Sequence, residues 1–406
     1  MVTNILNIFG TGIERFIKLP VQFAGTTIVL RELGVAATGN LSFILATYLL
    51  AVTIASNGLN QIYIKKYASR QRRENSALIN YFAVQNIYSI LGSLLFLVVI
   101  GTESLIYLTL LIPIILSQLN LFKARMEAER VLIQITPYET IVTLGFAAIK
   151  IYFAAQFTLE TLSILLATEY SCGYLLFIKF YRRGDIKIRN LNTTHIKRLA
   201  TKSIWFILIA IAISLNMRID QLMIYHILTA ADNGNYSALV RIVEPLTAVF
   251  LIFIPTINAL AQKKSKLSSI DLIRQSIRYG TIILLILIIA LIQIGETIFT
   301  TLYGTEFSFD QIGAVFLYIS MYFIFIGAIG NSQYVKEGME KYLCLNIGIA
   351  SIVNILLNLI LLQKFGATGA CFATLVSYMI SGILGDFLWS KTSFIGHLKL
   401  QSLLYR

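Results

Sequence analysis

Apolar runs of about twenty residues, separated by short polar turns, recur from one end of the chain to the other. That is the length an α-helix needs to cross the ~30 Å hydrocarbon core of a bilayer. The runs predict twelve spans, roughly 8–31, 40–63, 78–100, 104–122, 134–157, 160–180, 200–227, 235–261, 273–295, 310–334, 341–363 and 367–390. The short alternating segments that mark a membrane barrel are missing, and the five prolines fit long helices. The opening Met1-Val2-Thr3-Asn4 has no basic cluster and no small-residue cleavage site follows it, so the first span reads as retained.

Composition sharpens this picture. The chain of 406 residues is 57% apolar and 13% charged, with a mean hydropathy of +0.76, against about 45–50% apolar and 25% charged for soluble domains. These values exclude a soluble enzyme, a disordered chain and a nucleic-acid partner. The net charge of +13 then has a membrane meaning. Most Lys and Arg follow the even-numbered spans, including Lys65, Lys66, Arg182, Arg183, Lys263 and Lys264, while Glu32, Glu103, Glu160, Glu296 and Glu306 collect on the other face. The positive-inside rule places both termini in the cytoplasm.

The absences narrow the chemistry. Cys172, Cys344 and Cys371 lie apart in apolar stretches, and His195, His226 and His397 are widely separated, so neither a disulfide framework nor a metal site is indicated. No phosphate-binding GxxxxGK[ST] loop occurs, no nucleophile–base set can be placed, and no resident cofactor is expected. The longest polar connection is too short for an extramembrane catalytic domain. A transporter is therefore expected rather than an enzyme.

An internal repeat organises the spans. Gly39-Asn40-Leu41-Ser42 and Gly234-Asn235-Tyr236-Ser237 stand 195 residues apart, each opening the second span of its half. Six spans is an even number, so the halves share one orientation, as parallel repeats do. The expected organisation is an N-terminal lobe at 1–185 with spans 1–6, a cytoplasmic linker at 186–199, and a C-terminal lobe at 200–406 with spans 7–12.

Charges inside the spans are the candidate functional groups, because each costs ~2.5–3.5 kcal/mol on insertion scales unless it faces protein or water. They are Glu14, Arg15, Lys18, Glu139, Lys150, Glu169, Arg218, Asp220, Arg241, Glu244 and Asp386. Helical spacing lets Glu14 meet Lys18 and Arg241 meet Glu244 along one helix, returns Glu139 and Lys150 to nearly one face, and aligns Asp220 with Asn216. Pro245 deprives the Arg241 carbonyl of its helical donor. Any one pair could be an internal salt bridge, and Asp386 could be an interfacial cap. As a set, Arg15, Lys18, Lys150, Arg218 and Arg241 make a cationic interior suited to an anionic passenger, with Asp220, Glu244 and Glu139 as ion-coupling groups or charge partners.

Residues 217–245, MRIDQLMIYHILTAADNGNYSALVRIVEP, resemble the start of the second lobe in the bacterial polysaccharide (O-antigen type) flippases of the MATE-like MOP superfamily, with Arg-x-Asp-Gln, Gly-x-Tyr-Ser and Arg-x-x-Glu in order. Arg31-Glu32-Leu33-Gly34 with Gly58 and Lys66, Leu302-Tyr303-Gly304, and residues 354–378 with their Asn-x-x-x-Asn and Ala-Thr…Ser-Tyr segments are similar to further parts of that family. Lys364-Phe365 and Glu244-Pro245 depart from its pattern. The resemblance implies an all-α membrane fold of about twelve helices in two pseudo-symmetric six-helix lobes around a central cavity. It also implies alternating access that carries an undecaprenyl-diphosphate-linked oligosaccharide across the bacterial inner membrane, with a proton or sodium ion as coupling species. Membrane lipid is a further expected partner, and a polysaccharide polymerase and a chain-length regulator are candidate protein partners. Three alternatives stay open: a MATE-type exporter of cationic drugs, a membrane enzyme of glycan polymerisation, and a structural subunit.

Overall fold

The computed structural model describes all residues except 1, 77, 102–104, 130, 132–133, 181–190, 255–256, 258–259, 261–265 and 405–406. Among the described residues the secondary structure is entirely helical. The helices are α1 (Val2–Leu33), α2 (Val35–Ser76), α3 (Leu78–Ile100), α4 (Ile106–Ala128, with 3-10 turns interrupting the α-helix), α5 (Thr136–Tyr152) and α6 (Leu159–Leu175). There follow α7 (Thr193–Ile227), α8 (Ala230–Leu251), α9 (Lys266–Tyr303), α10 (Gln311–Lys336), α11 (Glu340–Gly382) and the short α12 (Ser393–Leu404).

Each of the first ten expected spans falls on one helix, and the last two share α11, which bends at Gly366. Its φ of 59° is open to glycine at little cost and strained for any other residue. The final span is shorter than expected: α11 ends at Gly382, and a 3-10 turn over Leu384–Leu388 follows. Eight helical stretches among the described residues are long and apolar enough to cross a membrane. The helix α5 has only 17 residues, and α8 is diluted by Asp232, Arg241 and Glu244.

Helix starts are set by side chains that satisfy the free N–H groups of the first turn. The Thr158 hydroxyl accepts from the Thr161 amide in a capping box at α6, Thr229 accepts from the Asp232 amide at α8, and Asp310 accepts from the Gly313 amide at α10.

The chain groups into two compact units, one of residues 1–33 and 43–214, the other of residues 34–42 and 215–406. The division passes through α7. In the first unit a core of Tyr63, Tyr67, Tyr81, Leu121, Phe122, Phe177 and Leu199 joins α2, α3, α4 and the start of α7. Asn80 ties α3 to the head of α7 by accepting from the Asn192 amide at 2.7 Å, and Tyr88 shares a 2.7 Å hydrogen bond with Ser203.

The second unit holds both copies of the Gly-Asn-x-Ser repeat, packed against each other. Asn233 donates to the Gly39 carbonyl at 2.8 Å. A Cβ on Gly39 would lie 1.7 Å from the Ala230 carbonyl oxygen, and one on Gly234 would lie 2.1 Å from that of Val35. The two glycines therefore let the backbones touch, as small residues do at helix crossings in membranes. Gly327 and Gly382 bring α10 and α11 together in the same way, with a Cβ on Gly327 placed 3.1 Å from the Gly382 Cα.

Large apolar side chains face outward on several helices, including Ile90, Leu91, Leu94 and Val98 on α3 and Ile282, Ile283, Ile286 and Ile289 on α9. Such a surface would be untenable in water and suits contact with lipid.

Candidate functional site

The main polar concentration within the second unit is built where α7, α8 and α11 meet. Asp220 is 2% exposed. Tyr236 of α8 donates to its Oδ2 at 2.8 Å, Asn358 of α11 donates to its Oδ1 at 2.7 Å, and the Thr374 hydroxyl of α11 donates to Oδ2 as well. One turn earlier on the same face of α7, Asn216 accepts from the Ser377 hydroxyl, which also reaches the Ala350 carbonyl at 3.1 Å. Asn354 extends the network by accepting from Asn358 at 3.0 Å. A buried carboxylate with no partners would be prohibitive in such surroundings. Here three uncharged groups, Tyr236, Asn358 and Thr374, meet its two oxygens.

The other face of α7 carries Arg218, whose Nη1 lies 2.8 Å from Glu244 Oε1, with side chains 18% and 35% exposed. The along-helix pairing expected for Arg241 and Glu244 is thus replaced by a bridge between α7 and α8. A carboxylate three residues from one arginine meets another more closely when the neighbouring helix presents it. Arg241 keeps a buried Nε without a hydrogen-bond partner, and Pro245 lies within α8 one turn beyond it.

In the first unit the charges also pair between helices. Glu139 of α5 accepts from Lys123 of α4 at 2.9 Å and lies 3.6 Å from Lys18 of α1. Lys150, near the end of α5, meets Glu169 of α6 at 2.5 Å, both side chains under a tenth exposed. Glu139 and Lys150 therefore answer to different neighbours despite sharing a stripe of α5. Arg15 falls on α1 where side chains before Lys18, Glu14 included, lie outside the described residues. Gly25 seats α1 on Ala147 of α5, with a Cβ position 3.4 Å away.

A further buried pair stands below the last span. Lys399 of α12 lies 2.7 Å from Asp386 Oδ2, each side chain 1% exposed. Tyr334 donates to Asp386 Oδ1 at 2.5 Å, Asn346 to the Tyr334 oxygen at 2.9 Å, and Lys399 also to the Gly382 carbonyl at 2.6 Å. Burial pushes the Lys399 ammonium below its ordinary value of 10.5, and the Asp386 carboxylate opposes that shift. Asp386 is thus an anchor for α12 rather than the interfacial cap its position in sequence suggested. Lys399 lies beyond the last expected span, where the positive-inside rule expects a cytoplasmic charge, yet it is sealed in protein.

Sequence reasoning passed over Tyr236, Asn354, Asn358, Thr374 and Ser377 as site residues because they are neutral. Their spacing carried a signal, since Asn354/Asn358 and Thr374/Ser377 each mark one face of an otherwise apolar helix, as Asn216/Asp220 do on α7.

No protein-family model matches the sequence, and no curated protein matches it. Solved structures do. A lipid II flippase MurJ in an inward closed conformation superposes with a TM-score of 0.72 at 15% identity, covering 98% of this chain and 91% of that one. An inward-facing multidrug resistance MATE family transporter of the MOP superfamily gives 0.67 at 12% identity, over 96% and 99%. A MOP superfamily transporter from Pyrococcus furiosus, described by the reverse polarity of its binding pocket, gives 0.55 at 14% identity, over 97% and 96%. At these identities the likeness concerns architecture, and along nearly its whole length the chain has the all-helical fold of MOP superfamily transporters.

Proposed function

We propose that this protein is a flippase for a lipid-linked oligosaccharide. It moves an undecaprenyl-diphosphate-linked repeat unit, of O-antigen or a related glycan, from the cytoplasmic to the periplasmic leaflet of the bacterial inner membrane by alternating access, with both termini in the cytoplasm. The observation that carries the reading is the arginine pair of α7 and α8. Arg218 is partly exposed and held by Glu244, while Arg241 has a buried Nε still lacking an acceptor. Guanidinium groups offer a diphosphate bidentate contacts, and a diphosphate with attached sugars cannot cross hydrocarbon without such partners. Arg15, Lys18 and Lys150 serve the same passenger from the first lobe; with no substrate bound, Glu244 holds Arg218, Glu139 holds Lys18 and Glu169 holds Lys150. Asp220, wrapped by uncharged donors, is the coupling carboxylate, with a proton or sodium ion compensating its charge. The fold shared with a protein described as a lipid II flippase supports this class of activity.

The test is glycan export in a bacterium that depends on the protein. Arg218→Ala and Arg241→Ala are expected to abolish export at normal protein level, with lysine at either position restoring only part because it lacks the guanidinium fork. Export above half of wild type in both alanine variants would overturn the assignment.

A MATE-type cation exporter is the second reading. It is favoured by the MATE structures among the similar folds and by the buried, uncompensated Asp220. Efflux of cationic dyes dependent on Asp220 would establish it. The pocket described as having reverse polarity in the Pyrococcus furiosus transporter supports the idea that charge divides functions on this fold.

A further inference from the structure

The second unit contains a cavity of about 660 Å³ away from the α7/α8/α11 polar site. It opens where the start of α9, the end of α10 and the helix α12 converge. Its apolar lining is Ile270, Phe394 and Leu398, and its polar lining includes Arg274, Lys336, His397 and Gln401. Glu337 also lines it.

Arg274 is the informative residue. Its Nη2 donates to Gln401 at 3.2 Å and its Nη1 lies 3.8 Å from Asp271, but its Nε is buried with no hydrogen-bond partner. An unmet guanidinium donor beside a cavity calls for an acceptor. The depth of the site says which kind. Outward-facing apolar side chains on α9 begin at Tyr279 and run to Ile294. Arg274 precedes Tyr279 by five residues, about 7.5 Å along a helix. That distance matches the headgroup layer, which adds roughly 5–7 Å on each side of the hydrocarbon. The helix α12, with exposed Phe394, Leu400 and Leu403, is too short to span and suits the same interface.

We propose that this cavity binds the headgroup of an anionic phospholipid. Its single phosphodiester charge meets Arg274, Lys336 and His397, and its glycerol and first acyl carbons lie on Phe394 and Leu398. Basic pockets between helices at a membrane interface are suited to such headgroups. The lipid is a structural ligand of the second unit and not the transported substrate.

The test uses purified full-length protein in detergent, with lipid retention read by native mass spectrometry and stability by thermal unfolding. Phosphatidylglycerol is expected to be retained at least five-fold over phosphatidylethanolamine and to raise the unfolding midpoint. Arg274→Gln and Lys336→Gln should each cut that retention five-fold or more. Lys336 is exposed at a helix end, so its variant keeps the test decisive if Arg274→Gln fails to fold. Equal retention of the zwitterionic lipid, or unchanged phosphatidylglycerol retention in a folded variant, would overturn the proposal. Displacement of the lipid by millimolar glycerol phosphate would reassign the cavity to a soluble phosphate. None of these readings depends on transport, so failure here leaves the flippase proposal standing.

Discussion

Replacing Lys399 by Met should reveal how α12 is held to the rest of the second unit. The ammonium and the Asp386 carboxylate are 2.7 Å apart and each 1% exposed. Methionine fills most of the lysine volume, so the main loss is charge compensation. Asp386 would keep the Tyr334 hydroxyl on Oδ1 and have nothing cationic on Oδ2. Breaking a buried pair from one side costs about 3–5 kcal/mol. The stranded carboxylate can escape by taking up a proton, which from an ordinary carboxyl costs ~4 kcal/mol at pH 7 and ~1.4 kcal/mol less for each unit of pH lowered. The penalty should therefore be about 4 kcal/mol at pH 7 and fall to ~1.5 kcal/mol at pH 5. The sign follows because the folded variant binds a proton that the unfolded chain has already released. Denaturant titrations in mild detergent at pH 5, 6 and 7 would measure it, and Asp386→Asn added to Lys399→Met should recover most of the loss. A penalty under ~1 kcal/mol, one that does not change with pH, or a double variant no better than the single one would refute this view of the pair.

Further substitutions probe other parts of the frame. Gly39→Ala or Gly234→Ala should lower stability by at least ~2 kcal/mol, since each Cβ would strike a backbone carbonyl. Gly145→Ala, whose Cβ would meet nothing within 4 Å, should be neutral or slightly stabilising in unfolding scans. Asp220→Asn should leave a folded protein, because amide and carboxylate have nearly the same shape, but remove the dependence of transport on an ion gradient; gradient-driven transport at the wild-type rate would count against Asp220 as the coupling group.

How far the sequence reveals these features depends on the kind of information each needs. Apolar run length was enough for the helices, because burial in lipid is a one-dimensional requirement on about twenty residues. Periodicity was enough to put Asn216 and Asp220 on one face, and the structure brings both to α11. Partner choice was not legible. Spacing tells which face a charge occupies but not which helix packs there, so Glu244 pairs with Arg218 and not Arg241, and Glu139 pairs with Lys123 and Lys18 while Lys150 takes Glu169. Lys399 misled for a different reason: a helix of 12 residues gives no span signal, and a lysine beyond the last span reads as an exposed cytoplasmic charge. The Gly-Asn-x-Ser repeat was visible as symmetry, whereas its packing role depends on two copies meeting 195 residues apart.

The most direct test of the transport proposal is leaflet accessibility of an undecaprenyl-diphosphate oligosaccharide in proteoliposomes, read with an impermeant probe, with and without an imposed proton or sodium gradient. The expected result is protein-dependent exposure of the glycan that Arg218→Ala abolishes and that one of the two gradients accelerates. Folded protein that moves none of several glycan donors, or an Arg218→Ala variant as active as wild type, would contradict it.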